Sequence, residues 1–393
     1  MSEWKEYKLG EIIVTNAKSI NKDYPYQNIK YLDTGSITCN KIESLQDLNL
    51  ADAPSRAKRL VNDDDIIYST VRPDQLHYGY ITSAAQNLVV STGFVTITCD
   101  KEIVNPKFLY YNLTQNQTTE FLHSIAEAST STYPSLKPSD LEALDIILPP
   151  LSEQERIASI LSSLDDKIDL LNRQNQTLES MSEALFRHYF IENPKEEWKD
   201  GILDDILSVK GGTTPSTANP YFWNGTICWT SPRDVTTLNG IYMFDTERKI
   251  TEKGLSVINS GLLPKGTLLM SSRAPVGVLA FAEVELAINQ GYIAILDNKG
   301  YSKEFIYLWL KTNMDSVHSF SNGSTFMEIS KSAFKSLPLT IPPINLANLF
   351  QLEIKPLFDK IKYNQTQIST LYKLRNVLLP RLMSGEVYMK ITE

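Results

Sequence analysis

The chain has 393 residues, of which 42% are hydrophobic and 21% are charged, a balance typical of a globular protein with two or three domains. No apolar run reaches the roughly 18 residues of a membrane span, and the charged stretch 1–10 predicts no secretion signal, so we expect a cytoplasmic protein with no membrane partner. The net charge of -8 argues against a nucleic-acid partner, unless a local basic patch or a basic partner subunit supplies the phosphate contacts.

The cysteines give no sign of a disulfide or metal framework. Cys39, Cys99 and Cys228 lie far apart in the sequence, and no histidine stands close to any of them. We therefore predict neither a disulfide nor a zinc site, which fits a reducing compartment.

The first 150 residues alternate strand-like runs with turn residues. Residues 4–12 predict an extended segment followed by a short helical turn, and 66–70 and 95–98 are runs typical of strands. A helix is predicted at 106–113. We therefore expect a mixed α+β domain.

Residues 151–191 predict one long helix that pairs with another helix. Its apolar residues recur at alternating spacings of three and four, the a/d pattern of a coiled coil. Pro149-Pro150 keeps the preceding backbone extended, and Ser152 is the expected N-cap, with Glu155 completing a capping box. Asn193-Pro194 is expected to end the helix. The predicted apolar seam consists of Leu161, Leu164, Ile168, Leu171, Leu178 and Leu185.

The second half of the chain repeats the first. Residues 198–206 are similar to 4–12, and the best-matched stretch is 324–343 against 131–150. The predicted strands at 268–272 and 293–296 and the helix at 303–310 repeat those at 66–70, 95–98 and 106–113. We infer a tandem duplication.

A second coiled-coil helix is predicted from residue 344 onward. Pro342-Pro343 precedes it, Asn345 is a weaker expected cap, and Gly385 is expected to close it. Asn175 and Asn364 place one polar residue in each seam, which is typical of register control. The second predicted apolar seam consists of Ile354, Leu357, Ile361, Ile368, Leu371 and Leu378.

We expect the two helices to form an antiparallel coiled coil that separates the two duplicated domains with pseudo-twofold symmetry. The alternative is two ordinary amphipathic helices, each packed on its own globular core. Duplex DNA has a local twofold symmetry of its own, so a duplicated scaffold has a physical reason to read DNA.

Several motifs in this order resemble the specificity (S) subunit of Type I restriction-modification systems. The likeness covers essentially the whole chain. It rests on LPPLSEQERI at 148–157, KGGTTPS at 210–216, ICWTSPRDV at 227–235, AINQGY at 287–292, IPP at 341–343 and PRLMSGEV at 380–387. The first domain departs from the family by having Asn16-Ala17-Lys18-Ser19-Ile20 in place of a Gly-Gly-Thr-Pro signature.

The resemblance implies a non-catalytic subunit that reads a bipartite target in double-stranded DNA. Its parts would be a target recognition domain at 1–150, a spacer helix at 151–192, a second recognition domain at 193–343 and a second spacer helix at 344–393. It also implies two methyltransferase (M) subunits that use S-adenosylmethionine, and restriction (R) nuclease subunits that join them. The chain itself would hold no cofactor and no metal.

Candidate DNA contacts follow from the chemistry of base reading. Arg and Lys suit guanine, Asn and Gln suit adenine, and Ser and Thr bind phosphates. We favour the pair Arg72 and Arg273, taking both to follow the same duplicated strand. The candidates in the first domain are Arg56, Lys58, Arg59, Arg72, Gln75, His77, Tyr78, Thr132 and Lys137. Those in the second are Thr213, Arg233, Arg273, Asn289, Gln290, Thr325, Lys331 and Lys335. Any of these residues could instead form a surface salt bridge or a plain turn.

Two rival functions remain open at this point. A coiled-coil adaptor that binds proteins would account for the acidic charge. Asp234, Glu247 and Lys249 have the order of a magnesium-dependent nuclease site, in which two carboxylates hold the metal and an amine steadies developing charge. The first domain offers no counterpart to that set.

Overall fold

The computed structural model describes residues 4–129, 134–192, 198–296, 299–323 and 327–387. The chain forms two compact units, Met1–Ile168 with Leu371–Glu393 (unit one) and Asp169–Thr370 (unit two). Unit one contains the first head (4–148) and unit two the second head (198–341). Within the described ranges, no helix has both the length and the apolar character needed to cross a membrane.

Both heads are mixtures of short strands and short helices. The strands of the first head are β1 (Lys5–Lys8), β2 (Ile13–Thr15), β3 (Asn28–Leu32), β4 (Ile37–Thr38), β5 (Lys41–Ile42), β6 (Gln46–Asn49), β7 (Ala57–Leu60), β8 (Ile66–Ser69), β9 (Tyr78–Tyr80), β10 (Leu88–Ser91), β11 (Phe94–Cys99) and β12 (Asp145–Leu148). Those of the second are β13 (Lys199–Ile202), β14 (Ser208–Gly211), β15 (Trp223–Thr230), β16 (Tyr242–Met243), β17 (Arg248–Ile250), β18 (Leu268–Ser271), β19 (Leu279–Ala282), β20 (Leu286–Ile288), β21 (Tyr292–Leu296) and β22 (Pro338–Ile341). The helices of the chain are α1 (Pro106–Leu113), α2 (Asn116–Ser129), α3 (Pro138–Glu142), α4 (Leu151–Phe190), α5 (Leu203–Ile206), α6 (Pro232–Thr236), α7 (Glu252–Leu255), α8 (Lys303–Thr312), α9 (Met314–Ser319), α10 (Lys331–Lys335) and α11 (Ile344–Met383).

The sheets of the two heads correspond. In the first head the strand orders are β2-β11-β8-β9 and β6-β3-β10-β7, and in the second they are β14-β21-β18-β19-β16 and β17-β15-β20. Each head also has a two-stranded sheet, β1-β12 or β13-β22, that pairs its first strand with its last. Lys5 lies opposite Leu148, and Lys199 lies opposite Ile341.

The register inside the sheets confirms the duplication. Ser69 lies opposite Phe94 in the first head, and Ser271 lies opposite Tyr292 in the second. The next residue of each strand donates its amide to a glycine carbonyl at 2.8 Å, Thr70 to Gly93 and Ser272 to Gly291. Both heads therefore share one α+β fold.

The two long helices begin directly after their proline pairs. The amides of Glu153 and Leu346 donate to the carbonyls of Pro150 and Pro343, at 2.8 and 3.0 Å. The carbonyls of these prolines therefore accept the first helical bonds. The predicted caps Ser152 and Asn345 lie inside the first turn, because a proline fits the start of a helix. Gly385 follows α11 with φ of 71°, the left-handed conformation expected of a glycine C-cap.

In unit one, the beginning of α4 packs on the end of α11. Ile157 and Leu161 share a core with Leu382, and Arg375 Nη1 lies 2.9 Å from Asp165 Oδ1. In unit two, the end of α4 packs on the beginning of α11. The rings of Phe186 and Phe350 lie 5.9 Å apart, with the Phe190 ring beside both. The two helices therefore run antiparallel in each unit.

The seam residues divide into two groups by burial. Leu161, Ile168, Leu171, Ile354, Ile361 and Ile368 are buried, whereas Leu164, Leu178, Leu185, Leu357, Leu371 and Leu378 are half-buried. The sequence pattern did not predict buried Phe186, Phe350 and Phe358, which share the core of the second head. These phenylalanines face the second head, so the coiled-coil seam is only one of two buried faces of the long helices. The predicted domain limits stay a prediction, since the compact units cut across both helices.

Candidate nucleic-acid interface

Several loops of the second head emerge from one end of its larger sheet. Gly211 lies opposite Ile293, and Ser271 lies opposite Tyr292, so the end of β14, the end of β18 and the start of β21 are adjacent. The opposite end of β21 leads toward α8, whose core contains residues of α4 and α11. We call the free side, residues 211–214, 231–234, 272–273 and 289–291, the loop edge of the second head.

The Gly-Gly-Thr stretch builds this edge by close backbone approach. A Cβ atom on Gly212 would lie 1.8 Å from the carbonyl oxygen of Ile288, so only glycine fits. Thr213 N donates to the same Ile288 carbonyl at 3.1 Å. The Thr214 hydroxyl then donates to Gln290 Oε1 at 2.6 Å and holds that exposed side chain at the edge.

Arg233 stands at the start of α6 on the same edge. Its side chain is 77% exposed, with Nε 3.7 Å from Glu247 Oε2. Asp234 holds the turn beneath it: its carboxylate accepts bonds from Ser231 N at 2.8 Å, Ser231 Oγ at 3.1 Å and Glu247 N at 2.9 Å. Asp234 is therefore a helix cap that also ties down the neighbouring strand.

The proposed nuclease set does not assemble. Asp234 is occupied by three donors, and Lys249 pairs instead with Asp245 and lies 3.1 Å from Cys228 Sγ. Burial raises the pKa of Asp245, but the contact with Lys249 outweighs burial and holds that pKa below its usual range. The nuclease hypothesis is therefore not supported.

The first head has a matching loop edge at the end of β8 and the start of β11. Arg72 is exposed there, and its backbone amide donates to the Pro134 carbonyl at 3.1 Å. Arg56 is also exposed. Its carbonyl accepts a hydrogen bond from Thr92 N at 2.8 Å, which places Arg56 at the start of β11. The loop edge of the first head, residues 33–36, 56, 70–72 and 91–93, thus carries two exposed arginines.

The predicted equivalence of Arg72 and Arg273 is wrong. Arg273 forms a bridge with Glu328 as Val71 does with Ser135, so Arg273 corresponds to Val71. Arg72 corresponds to Ala274, and both have left-handed backbones, with φ of 48° and 56°. The sequence comparison was one residue out of register, which in extended backbone turns a side chain to the opposite face.

Three further candidates in the first head follow Arg72 closely in the chain, and one of them, exposed Gln75, donates its backbone amide to the Arg72 carbonyl at 2.9 Å. Tyr78 is 7% exposed and stacks on Tyr68 with ring centroids 5.8 Å apart, so it belongs to the core, and we withdraw it. The other two candidates, His77 and Gln75, contact each other. His77 Nδ1 lies 2.6 Å from the Ile37 carbonyl oxygen, and His77 Nε2 lies 3.2 Å from Gln75 Oε1.

The remaining candidates divide by their contacts. Asn289 is 9% exposed and its Oδ1 accepts from Gly291 N at 2.8 Å, so it shapes a turn. Lys335 pairs with Asp204 at 2.9 Å, and half-buried Arg59 belongs to β7. Thr132 and Thr325 lie outside the described residues. The side chains of Lys58, Lys137 and Lys331 are exposed, Arg273 is half-buried, and Thr213 is half-buried with Oγ1 accepting from Asn259 N at 3.3 Å.

One exposed arginine escaped the sequence analysis. The guanidinium of Arg248 lies 3.4 Å from the ring centroid of Trp223 and 5.5 Å from that of Trp229. Arg248 and Trp229 lie directly opposite each other on β17 and β15. The two residues are far apart in sequence, and no local signal pairs them.

Comparison with known proteins gives the family. Residues 1–180 and 195–373 each match the sequence profile described as "Type I restriction modification DNA specificity domain". The chain belongs to this family. The two matches fall one on each half of the chain, so each head of this specificity-family protein carries one copy of the family domain.

Similar proteins include two curated specificity subunits. The Type I restriction enzyme HindI specificity subunit of Haemophilus influenzae is 26% identical, over 98% of this chain and 100% of its own length. The Type I restriction enzyme MjaIX specificity subunit of Methanocaldococcus jannaschii is 29% identical, over 79% of this chain and 75% of its own. The crystal structure of a Type-I restriction-modification system S subunit from M. genitalium matches with a TM-score of 0.59 at 16% identity, covering 100% of this chain and 97% of that one, which shows a shared fold.

Proposed function

We propose that the chain is the DNA-specificity subunit of a Type I restriction-modification complex, in which each head reads one half of a bipartite target. The observation that carries this proposal is that the family domain occurs once per head and that each head exposes arginines on its loop edge. Arg56 and Arg72 supply the first edge, and Arg233 the second. These exposed arginines supply the local positive charge that binding to DNA requires in a chain whose net charge is -8.

The partners in this proposal perform the chemistry. Two methyltransferase subunits bind S-adenosylmethionine and methylate the target, restriction subunits cut unmodified DNA, and the complex works in the cytoplasm. The specificity chain contributes base reading and assembly. Its two helices of 40 residues each, about 60 Å long, set the interval between the half-sites.

The decisive experiment is methylome sequencing of DNA exposed to the chain together with its neighbouring methyltransferase. We expect one bipartite motif with a fixed gap. Deleting one heptad from both helices is expected to change the gap and leave both half-site sequences as they were. Methylation without a bipartite motif, or a complex that binds protein partners but no duplex, would favour the adaptor function.

A further inference from the structure

Arg248 has its guanidinium fixed before any ligand arrives. Trp223 and Trp229, both at least nine-tenths buried, form an edge-to-face pair with centroids 5.0 Å apart at 89°, and the guanidinium lies over the Trp223 ring. Such stacking attracts the cation and restricts its rotamers. Within the described ranges, the guanidinium forms no hydrogen bond or ion pair, so its N–H donors are available to a ligand.

The tryptophan pair also supports the loop edge of the second head. Trp229 Nε1 donates to the Thr213 carbonyl at 3.4 Å, and Trp223 Nε1 donates to the Ser216 carbonyl at 3.1 Å. Glu247, the residue directly before Arg248, has its Oε2 atom 3.7 Å from Arg233 Nε. Arg248 therefore lies on the two indoles that hydrogen-bond to residues 213 and 216, and it is adjacent in sequence to the partner of Arg233.

The first head has a different side chain at the corresponding position. Trp229 lies opposite both Ala287 and Arg248, and Tyr31 lies opposite both Val89 and Gln46. The strand register therefore makes Gln46, also exposed, the counterpart of Arg248. An aromatic residue lies opposite each of them in the sheet, while the exposed residue differs.

We propose that Arg248 is a specificity-determining residue that reads a guanine edge in the half-site of the second head, and that Gln46 holds the equivalent position toward adenine in the first. The proposal rests on the proposed function. Arginine pairs with guanine O6 and N7 through two parallel N–H bonds, and glutamine pairs with adenine N6 and N7 in the same bidentate way. The same fork can also bind a phosphate, but a phosphate contact carries no sequence preference, so the two modes differ in their effect on discrimination between bases.

The test uses the complete complex of the chain with its methyltransferase partner on a library of duplexes carrying every single-base change in both half-sites. We expect R248A to reduce discrimination roughly ten- to a hundredfold at one position of one half-site. We expect R248K to lose the same discrimination, because lysine keeps the charge over Trp223 but lacks the fork. Q46A should act at one position of the other half-site.

A matched control is R173A, which removes a 66% exposed arginine paired with Asp169 on α4. This variant should keep the wild-type preference at every position. Equal loss on all sequences in R248A, or full discrimination in R248K, would overturn the assignment while the wild-type motif stands. If R248A fails to fold in a thermal melt, R248K decides. A wild-type complex without sequence preference would instead defeat the proposed function.

Discussion

Asn364 Nδ2 donates to Asn175 Oδ1 at 2.9 Å, with both side chains buried between the two long helices of unit two. A second bond from the same amide reaches Gln174 Oε1 at 3.3 Å. A buried amide pair is less stabilising than two leucines, but only one alignment of the helices lets the amides meet. The pair therefore selects the register of α4 against α11.

Replacing one member of this pair should cost more than replacing both. N364L leaves the Asn175 amide buried without its partner, and we expect the free energy of unfolding to fall by about 1–3 kcal/mol. The double variant N175L/N364L removes both polar groups and should regain most of that loss. Urea unfolding followed by circular dichroism measures both. A single variant as stable as the wild type would show that the amide bond contributes nothing.

Gln365 fastens the second head to α11. Its Oε1 accepts from Ile241 N at 3.2 Å and Tyr242 N at 3.0 Å, and its Nε2 donates to the Tyr242 carbonyl at 2.6 Å. Q365L leaves three buried backbone groups unpaired, so we expect a loss of roughly 1–3 kcal/mol and faster amide exchange at β16. The control is Q367L, two residues along the same helix, whose half-buried amide hydrogen-bonds, among the residues that the structure describes, only to the Tyr363 hydroxyl. Equal exchange rates in both variants would contradict the fastening role.

Gly212 should tolerate no side chain. An alanine there would place Cβ 1.8 Å from the Ile288 carbonyl oxygen, and we expect G212A to destabilise the second head by about 1–3 kcal/mol or more and to disturb its half-site. At Gly35 a Cβ would meet nothing within 4 Å, so G35A is the matched control for stability. Thermal melting tests the pair, and methylation of the target sequence is measured for G212A against the wild type. A G212A protein with wild-type melting would refute the close approach.

Asp64 should make the stability of the first head depend on acid pH. The hydrogen bond from Lys101, assisted by one from Tyr80, lowers the pKa of Asp64 below its ordinary value of about 3.9 although burial opposes this. A lowered folded-state pKa adds stability that is present above the ordinary value and is lost as the pH falls through the folded value. D64N should therefore be less stable than the wild type near neutrality, with the difference shrinking as the pH falls through the lowered pKa of Asp64. Acid titrations of unfolding measure this, and a difference that does not shrink on acidification would contradict it.

Arg72 should contribute to DNA affinity through charge. If it contacts a phosphate of the half-site, R72A weakens binding on all sequences and lowers the slope of log K against log salt by about 0.9. R273A is no longer expected to match it, because the two arginines occupy different positions. Fluorescence anisotropy at several salt concentrations measures the slopes. An unchanged slope in R72A would remove this residue from the interface.

The long helices and the duplication could be predicted from sequence because their signals are local. The a/d spacing, the two proline pairs and Gly385 each act within a few residues, and repeated strand patterns survive divergence. The pairing of the two helices followed from a second seam of the same length, and the antiparallel direction was expected from the pseudo-twofold symmetry of a duplicated chain. The buried stripe of Phe186 and Phe350 did not follow, since it depends on where each head packs.

The loop edges were beyond sequence reasoning because they depend on strand register. The pairing of Arg72 with Arg273 was one residue out of step with the match of 66–70 to 268–272, and the bridges of Val71 and Arg273 confirm the offset of that strand match. Tyr78 follows the same turn in sequence as Gln75 and His77, yet its side chain is buried. The contact of Arg248 with Trp223 joins residues separated by a long connection, so composition gave no hint of it.

The pairing of first and last strands in each head has an evolutionary consequence. Because Lys5 faces Leu148 and Lys199 faces Ile341, the first and last strands of each head lie side by side, and the last strand leads directly into a long helix. A head of different sequence can therefore be exchanged as a cassette through that narrow joint, with neither helix lengthened nor shortened. New sequence preferences can arise by recombination at the joint, while the surfaces that assemble the rest of the complex are inherited intact.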